Sequence, residues 1–205
     1  MATPKKQRIG IWIIAAVMLV GTIGSFVVMV LANENNQKDL AEQQKLYDEY
    51  MKQLEEQQKV DDAAAKGLSD KYYSTFAQYG SMPAAFDESS VGDTVTTKDL
   101  KVGDGVEIKE GTKYKAYYIG WTPKGTVFDS SIQDGALKAP IDTSQMNLIE
   151  GWNQGVIGMK VGGVREITIP SDLAYGEEGS GESIGPNTPI KFIVMVIETV
   201  EVAEE

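Results

Sequence analysis

The segment that most limits what this chain can become is a run of 24 uncharged residues, IGIWIIAAVMLVGTIGSFVVMVLA, from Ile9 to Ala32. As one helix it would be about 36 Å long, against a bilayer hydrocarbon core of roughly 30 Å. Lys5, Lys6 and Arg8 precede it, and no acidic residue stands before Asn33. The positive-inside bias therefore predicts a cytoplasmic N-terminus over 1–8, a transmembrane signal-anchor helix over 9–32, and an extracytoplasmic body. The expected location is that of a single-pass plasma membrane protein. Val30-Leu31-Ala32 also resembles a signal-peptide cleavage site, but the run exceeds the roughly 7–15 residues of an ordinary signal-peptide core, which favours the uncleaved anchor. Either way the body is exported.

All 30 acidic side chains lie beyond the apolar run, and the chain carries a formal net charge of −11. That balance argues against nucleic acid as a partner, because phosphates need a basic surface. Residues 33–67 are rich in Gln, Glu, Lys and Ala, good helix formers, and read as a helical stalk. Leu40, Tyr47 and Leu54 recur every seven residues, with Tyr50 and Met51 between them. A seam of two heptads falls short of the three or four that define a coiled coil. A solvated stalk is favoured, with weak self-association through it as the alternative. Residues 68–94 read as a linker or N-terminal extension. In it Tyr72, Tyr73, Phe76 and Tyr79 share a helical face before GSMPAAFDESSVGD breaks the pattern, and the segment is expected to pack on the following domain. Its Met82-Pro83 pair raises the idea that the extension mimics a substrate and fills the domain's own site.

From about Val95 the pattern turns to strands. The stretch around KYKAYYIGW places Tyr114, Ala116 and Tyr118 on one face and Lys113, Lys115 and Tyr117 on the other. VREITIP alternates too, and PIKFIVMVIETVEV is apolar on both faces over its middle, as in a central strand. Between them LIEGWNQGVIGM sets Leu148, Trp152, Val156 and Met159 at helical spacing, with Glu150 in the first turn where the helix dipole favours it. The expectation is an α+β domain over 95–202, an antiparallel sheet with one short helix laid across it. Residues 203–205 form an acidic tail.

The chain has no His and no Cys. Ser-His-Asp and Cys-His catalysis are thereby excluded, and a zinc site would have to be built from carboxylates alone. DESSVGDT does not fit a calcium loop. GEEGSGESIGPN lacks the Gly-Lys-Ser/Thr ending of a phosphate loop, and its Glu177 and Glu178 would repel an anion. No metal and no cofactor is expected.

What remains is a set of aromatic and aliphatic residues near turns, with one acid among them. YYIGWTPKGTVFDSS, LIEGWNQGVIGMKVGGVREITIP, LAYGEEGSG and IGPNTPIKF follow one another in order and with compact spacing. Together they resemble the signature of the FKBP-type peptidyl-prolyl cis-trans isomerases, over roughly Val95 to Val202. The resemblance implies an antiparallel half-barrel wrapped on one short helix, with a shallow apolar pocket between them. It implies Trp152 as the floor, and Tyr118, Phe128, Leu148 and Phe192 around the substrate. Ile184 would close the flap loop. Ile149 would offer its backbone N–H and Tyr175 its hydroxyl to a substrate carbonyl, and Asp129 would face the amide being twisted. One wall position, aromatic in most members, falls on either Ala139 or Ile141, which would weaken binding of macrolide inhibitors. The implied partners are proline-containing polypeptides, and the implied role is folding of exported or envelope proteins. A catalytically weak binding module or holdase with the same fold is the alternative.

Overall fold

The computed structural model describes residues 37–200. The expected anchor over 9–32 and the acidic tail lie outside the described residues. Among the described residues no helix is long and apolar enough to cross a membrane. The chain divides into two units, Met1–Glu56 and Gln57–Glu205.

A single helix, α1, runs Gln37–Ala77. In the first unit Tyr47, Tyr50 and Leu54, members of the short heptad seam, are exposed. In the second unit the helix continues ten residues past the expected stalk end at Gly67. A glycine inside a helix costs about 1 kcal/mol relative to alanine, and open space surrounds this one. Tertiary packing overrides that cost from the next residue onward. Leu68, Tyr72, Tyr73 and Phe76 lie against the sheet, with Phe76 fully buried.

The sheet is antiparallel throughout. Its strands are β1 (Thr96–Lys101), β2 (Tyr114–Trp121), β3 (Val127–Ser130), β6 (Ile141–Asp142), β7 (Val164–Ile169) and β8 (Ile190–Thr199). The order is β1-β7-β8-β2-β3, with β6 pairing β2. A separate two-stranded hairpin, β4 (Ile132–Gln133) with β5 (Ala136–Leu137), sits between β3 and β6. Its tip, Asp134-Gly135, has positive φ at both residues (52° and 78°), the geometry a two-residue hairpin demands.

β8 is central, and its side chains alternate between two cores. Phe192, Val194 and Val196 face a short helix, α2 (Glu150–Val156), while Ile193, Met195 and Ile197 face the C-terminal part of α1. β2 divides in the same way, sending Tyr114 and Ala116 toward α2 and Tyr117, Ile119 and Trp121 toward α1. The fold is thus the expected antiparallel sheet on a short helix, with a second helix covering the outer face. That outer cover is continued by the extension. Trp121 donates its indole N–H to Ala84 O at 3.1 Å, and the Phe86 N–H reaches Pro123 O at 2.9 Å.

α2 lies unusually close to β7. A methyl group at Gly151 would collide with the Ile169 side chain and stand 3.0 Å from Leu173 O; one at Gly155 would collide with Ile167. Arg165, 9% exposed, fixes the far end of the helix. Its guanidinium donates to Gly155 O (3.0 Å) and Ile157 O (2.9 Å), capping carbonyls that lack helical partners, and grips Asp99 of β1 with two further bonds of 2.6 and 3.2 Å.

Candidate active site

Between α2, the sheet and two loops lies a cavity of about 440 Å³. All nine residues singled out in the sequence line it: Tyr118, Phe128, Asp129, Leu148, Ile149, Trp152, Tyr175, Ile184 and Phe192. Ile141 lines it as well and Ala139 does not, so the wall position left open by the spacing falls to Ile141, held in β6 opposite Ala116. Neither Met82 nor Pro83 borders the cavity. The idea that this pair fills the site is therefore corrected: the extension runs along the Trp121–Pro123 end of β2, where its backbone bonds hold it.

The floor is Trp152, 2% exposed. Its ring meets Phe192 edge-on at 4.9 Å between centroids and Tyr118 at 5.6 Å, and Phe128 meets Phe192 at 5.5 Å and 90°. Such edge-to-face contacts fix each ring against the others. The buried indole N–H donates to the Tyr114 hydroxyl at 2.8 Å. Burial pushes the Tyr114 phenol up to about 12, so it stays protonated. Sequence reasoning missed this residue, because alternation marks Tyr114 as inward-facing without saying what its hydroxyl meets.

The walls depend on an absent side chain. A Cβ at Gly120 would stand 2.5 Å from the Phe128 ring and 2.6 Å from the Phe192 ring. Gly120→Ala is therefore expected to push at least one ring from its wall position, raising KM for a prolyl peptide severalfold while the chain still unfolds cooperatively. Parallel titrations of activity and of denaturant unfolding would check it.

Asp129, at the mouth, is held on several sides. It accepts hydrogen bonds from the Tyr118 hydroxyl, from Lys138 Nζ at 3.1 Å and from the Ser130 N–H at 2.8 Å. Burial opposes its ionisation. The Tyr118 bond, the Lys138 charge and bond, and the Ser130 N–H outweigh that and hold the carboxyl below the usual aspartate range. Lys138 had no signal in the sequence. It reaches Asp129 because the β4–β5 hairpin folds the chain back, with the Leu137 N–H anchored on the Ser69 hydroxyl of α1 at 2.8 Å.

Two donors on residues that line the cavity have no partner among the described residues. Ile149 is the N-cap of α2, extended at φ −59°, ψ 150°. Its carbonyl accepts from the Trp152 and Asn153 N–H groups, while no bond is made by its own N–H. The Tyr175 hydroxyl is likewise unbonded, and its pKa is raised by burial and by the nearby Asp129 charge. The flap loop closes one side, its Ile184 joined to Ser180 by a pair of backbone bonds of 2.8 and 3.2 Å. No group of side chains able to hold a metal ion occurs among the described residues.

This geometry has a counterpart in known proteins. The family model for FKBP-type peptidyl-prolyl cis-trans isomerase matches residues 105–197. An FK506-binding protein of Neisseria meningitidis serogroup B is 38% identical over 104 residues, covering 51% of this chain and 94% of that protein. The chain belongs to the FKBP-type peptidyl-prolyl cis-trans isomerases. A probable FKBP-type isomerase of Haemophilus influenzae is 34% identical over 134 residues, 65% of this chain and 52% of that one. A solved peptidyl-prolyl cis-trans isomerase of Pseudomonas syringae pv. tomato shares 27% identity over 68% of this chain and 96% of its own, with a TM-score of 0.46. The FKBP-type match spans β2 through β8, which carry the cavity; α1 and the apolar run lie before it.

Proposed function

We propose that this FKBP-type isomerase turns exposed apolar-residue–Pro bonds in exported or envelope polypeptides, with the 440 Å³ cavity as its catalytic pocket. The observation that carries the reading is the pairing of an aromatic box with two unbonded donors, the Ile149 N–H and the Tyr175 hydroxyl, on its edge.

Rotating an amide breaks its resonance against a barrier of about 18–20 kcal/mol. No covalent bond changes, so neither nucleophile nor proton shuttle is needed, in keeping with a chain without His or Cys. The planar imide carries separated charge that water stabilises better than an apolar box does. The twisted form loses that separation and suits the box. Trp152 receives the pyrrolidine ring, Tyr118, Phe128, Leu148, Ile184 and Phe192 exclude water around it, and the Ile149 and Tyr175 donors hold substrate carbonyls. The Asp129 carboxylate, fixed by Tyr118 and Lys138 before substrate arrives, faces the amide as its nitrogen loses conjugation. Binding the twisted form better than the planar one by about 5 kcal/mol gives several thousand-fold acceleration.

The full chain should accelerate cis-to-trans conversion of a Leu-Pro peptide well above a Trp152→Ala control; equal rates would overturn the reading in favour of a holdase. The pH profile adds a second check. A depressed carboxyl pKa gives a contribution present above the ordinary aspartate value of about 3.9 and lost as pH falls through the lower folded value. Tyr175 titrates above the ordinary tyrosine value of about 10. The rate is therefore expected to be flat between about pH 5 and pH 9; a bell centred near neutrality would count against the mechanism.

The apolar run over 9–32 supports a tethered enzyme, with a cytoplasmic N-terminus and the isomerase on the outer face of the plasma membrane. Protease added to intact cells should then degrade the domain, and a protected domain would reverse the orientation. The exposed Tyr47, Tyr50 and Leu54 are consistent with weak self-association of the stalk, which sedimentation of the full chain in detergent would detect.

A further inference from the structure

A second cavity of about 610 Å³ opens beside the first. The two share Met146, Asn147 and Leu148, so one low rim separates them. On its far side the second cavity is bounded by the loop from Lys109 to Lys113 and by the outer face of α2, with Asn153, Gln154 and Ile157. We propose that this groove is the continuation of the substrate site and takes the polypeptide flanking the X-Pro bond, an inference that rests on the isomerase reading above.

Continuity with the catalytic pocket is the first argument. A prolyl substrate is a chain, and a chain whose proline ring sits on Trp152 has to leave across some part of the cavity's edge. The shared Met146–Leu148 rim leads into a second depression of comparable size. The chemistry of the groove is the second argument. Two apolar side chains stand exposed in it, Met146 at 43% and Ile157 at 48%, where ordinary surface would carry polar groups. Around them Asn147, Asn153 and Gln154 supply amides that donate and accept, as a peptide backbone requires. Lys109 and Lys113 are balanced by Glu110 and Glu150, so the groove has no net charge to select a nucleic acid or an anion. This mixture of apolar anchors and amides suits an extended polypeptide of mixed sequence.

The groove also reaches the residue that supports the floor. Tyr114 lines it, and the same hydroxyl accepts the Trp152 indole N–H at 2.8 Å. A chain lying in the groove therefore rests against the residue that orients the ring beneath the proline.

The test compares two substrates on the full chain: a Leu-Pro tetrapeptide, and a dodecapeptide with the same Leu-Pro centre extended on both sides. The wild type is expected to show kcat/KM about tenfold higher on the longer peptide, equivalent to about 1.4 kcal/mol, mainly through KM. Ile157→Lys, at an exposed position outside the catalytic cavity, should remove most of that advantage and leave the tetrapeptide rate unchanged. The double substitution Asn153→Ala, Gln154→Ala should act in the same direction. Equal kcat/KM on both peptides in the wild type, or variants that slow both alike, would overturn the proposal. So would a wild-type dimer that Ile157→Lys dissociates, which would make the groove an interface between copies. Anisotropy of a labelled dodecapeptide separates the two levels of the argument. Binding lost in Ile157→Lys with no turnover of either peptide would keep the groove and sink the isomerase reading; binding unaffected by the variants would sink the groove alone.

Discussion

Phe76→Ala is expected to lower the unfolding free energy by about 3–5 kcal/mol, a large share of the roughly 5–15 kcal/mol that holds an ordinary domain together. The ring belongs to α1, outside the residues matched by the FKBP-type family, yet it is fully buried. It lies 6.2 Å from the Tyr79 and Tyr117 rings between centroids, over the outer face of the sheet. Removing it leaves a void among Tyr117, Ile119 and Met195 that rigid strands cannot close. Guanidinium unfolding followed by tryptophan fluorescence would read the effect. A cost under about 1 kcal/mol, the range of an exposed substitution, would mean the helix does not pack as described. The same packing predicts that a chain beginning at residue 90 collapses without a cooperative transition, whereas one beginning at residue 57 unfolds like the whole.

The second large effect is on turnover. Trp152→Ala is expected to reduce kcat/KM for a Leu-Pro peptide by about 30- to 150-fold, because a prolyl ring loses contact worth about 2–3 kcal/mol with the pocket floor. The substitution also removes a buried ring and leaves the Tyr114 hydroxyl facing a void, so stability falls by several kcal/mol. Trp152→Phe separates the two losses. It keeps an aromatic floor, though a smaller one, while removing the indole N–H bonded to Tyr114 at 2.8 Å, and should retain most of the activity that the alanine variant loses. Rates are to be scaled to the folded fraction measured by circular dichroism. A Trp152→Ala enzyme within about threefold of wild type would remove the indole from the mechanism.

The cavity was legible because nine of the residues that line it sit in four short motifs whose spacing survives as contact in space. Trp152 and Ile149 share one turn of helix, and Tyr118, Phe128 and Asp129 flank one hairpin. The partners that orient them were not legible. Lys138 meets Asp129 only because an Asp134-Gly135 turn reverses the chain, and Tyr114 meets Trp152 across 38 residues. No periodicity encodes either distance. The reach of α1 was half legible. Ile193, Met195 and Ile197 make the last strand apolar on its outer side, and Ile119 and Trp121 do the same for β2, so two apolar faces require two covers. The sequence shows one of them directly, the short helix with Trp152. The other is marked by the helical face of Tyr72, Tyr73, Phe76 and Tyr79, which packs as expected. Its continuity with the preceding helix hides behind Gly67, a stop by propensity that the burial beginning at Leu68 overrides.

That burial also defines where the protein can be cut. From Gln57 to Gly67 the helix presents an almost wholly exposed surface, whereas from Leu68 to Phe76 it is part of the isomerase core. A protease acting before Leu68 would leave the isomerase core and its outer helical cover whole. A cut only eight residues later would destroy it. The boundary between a harmless cut and an inactivating one thus falls inside one unbroken helix.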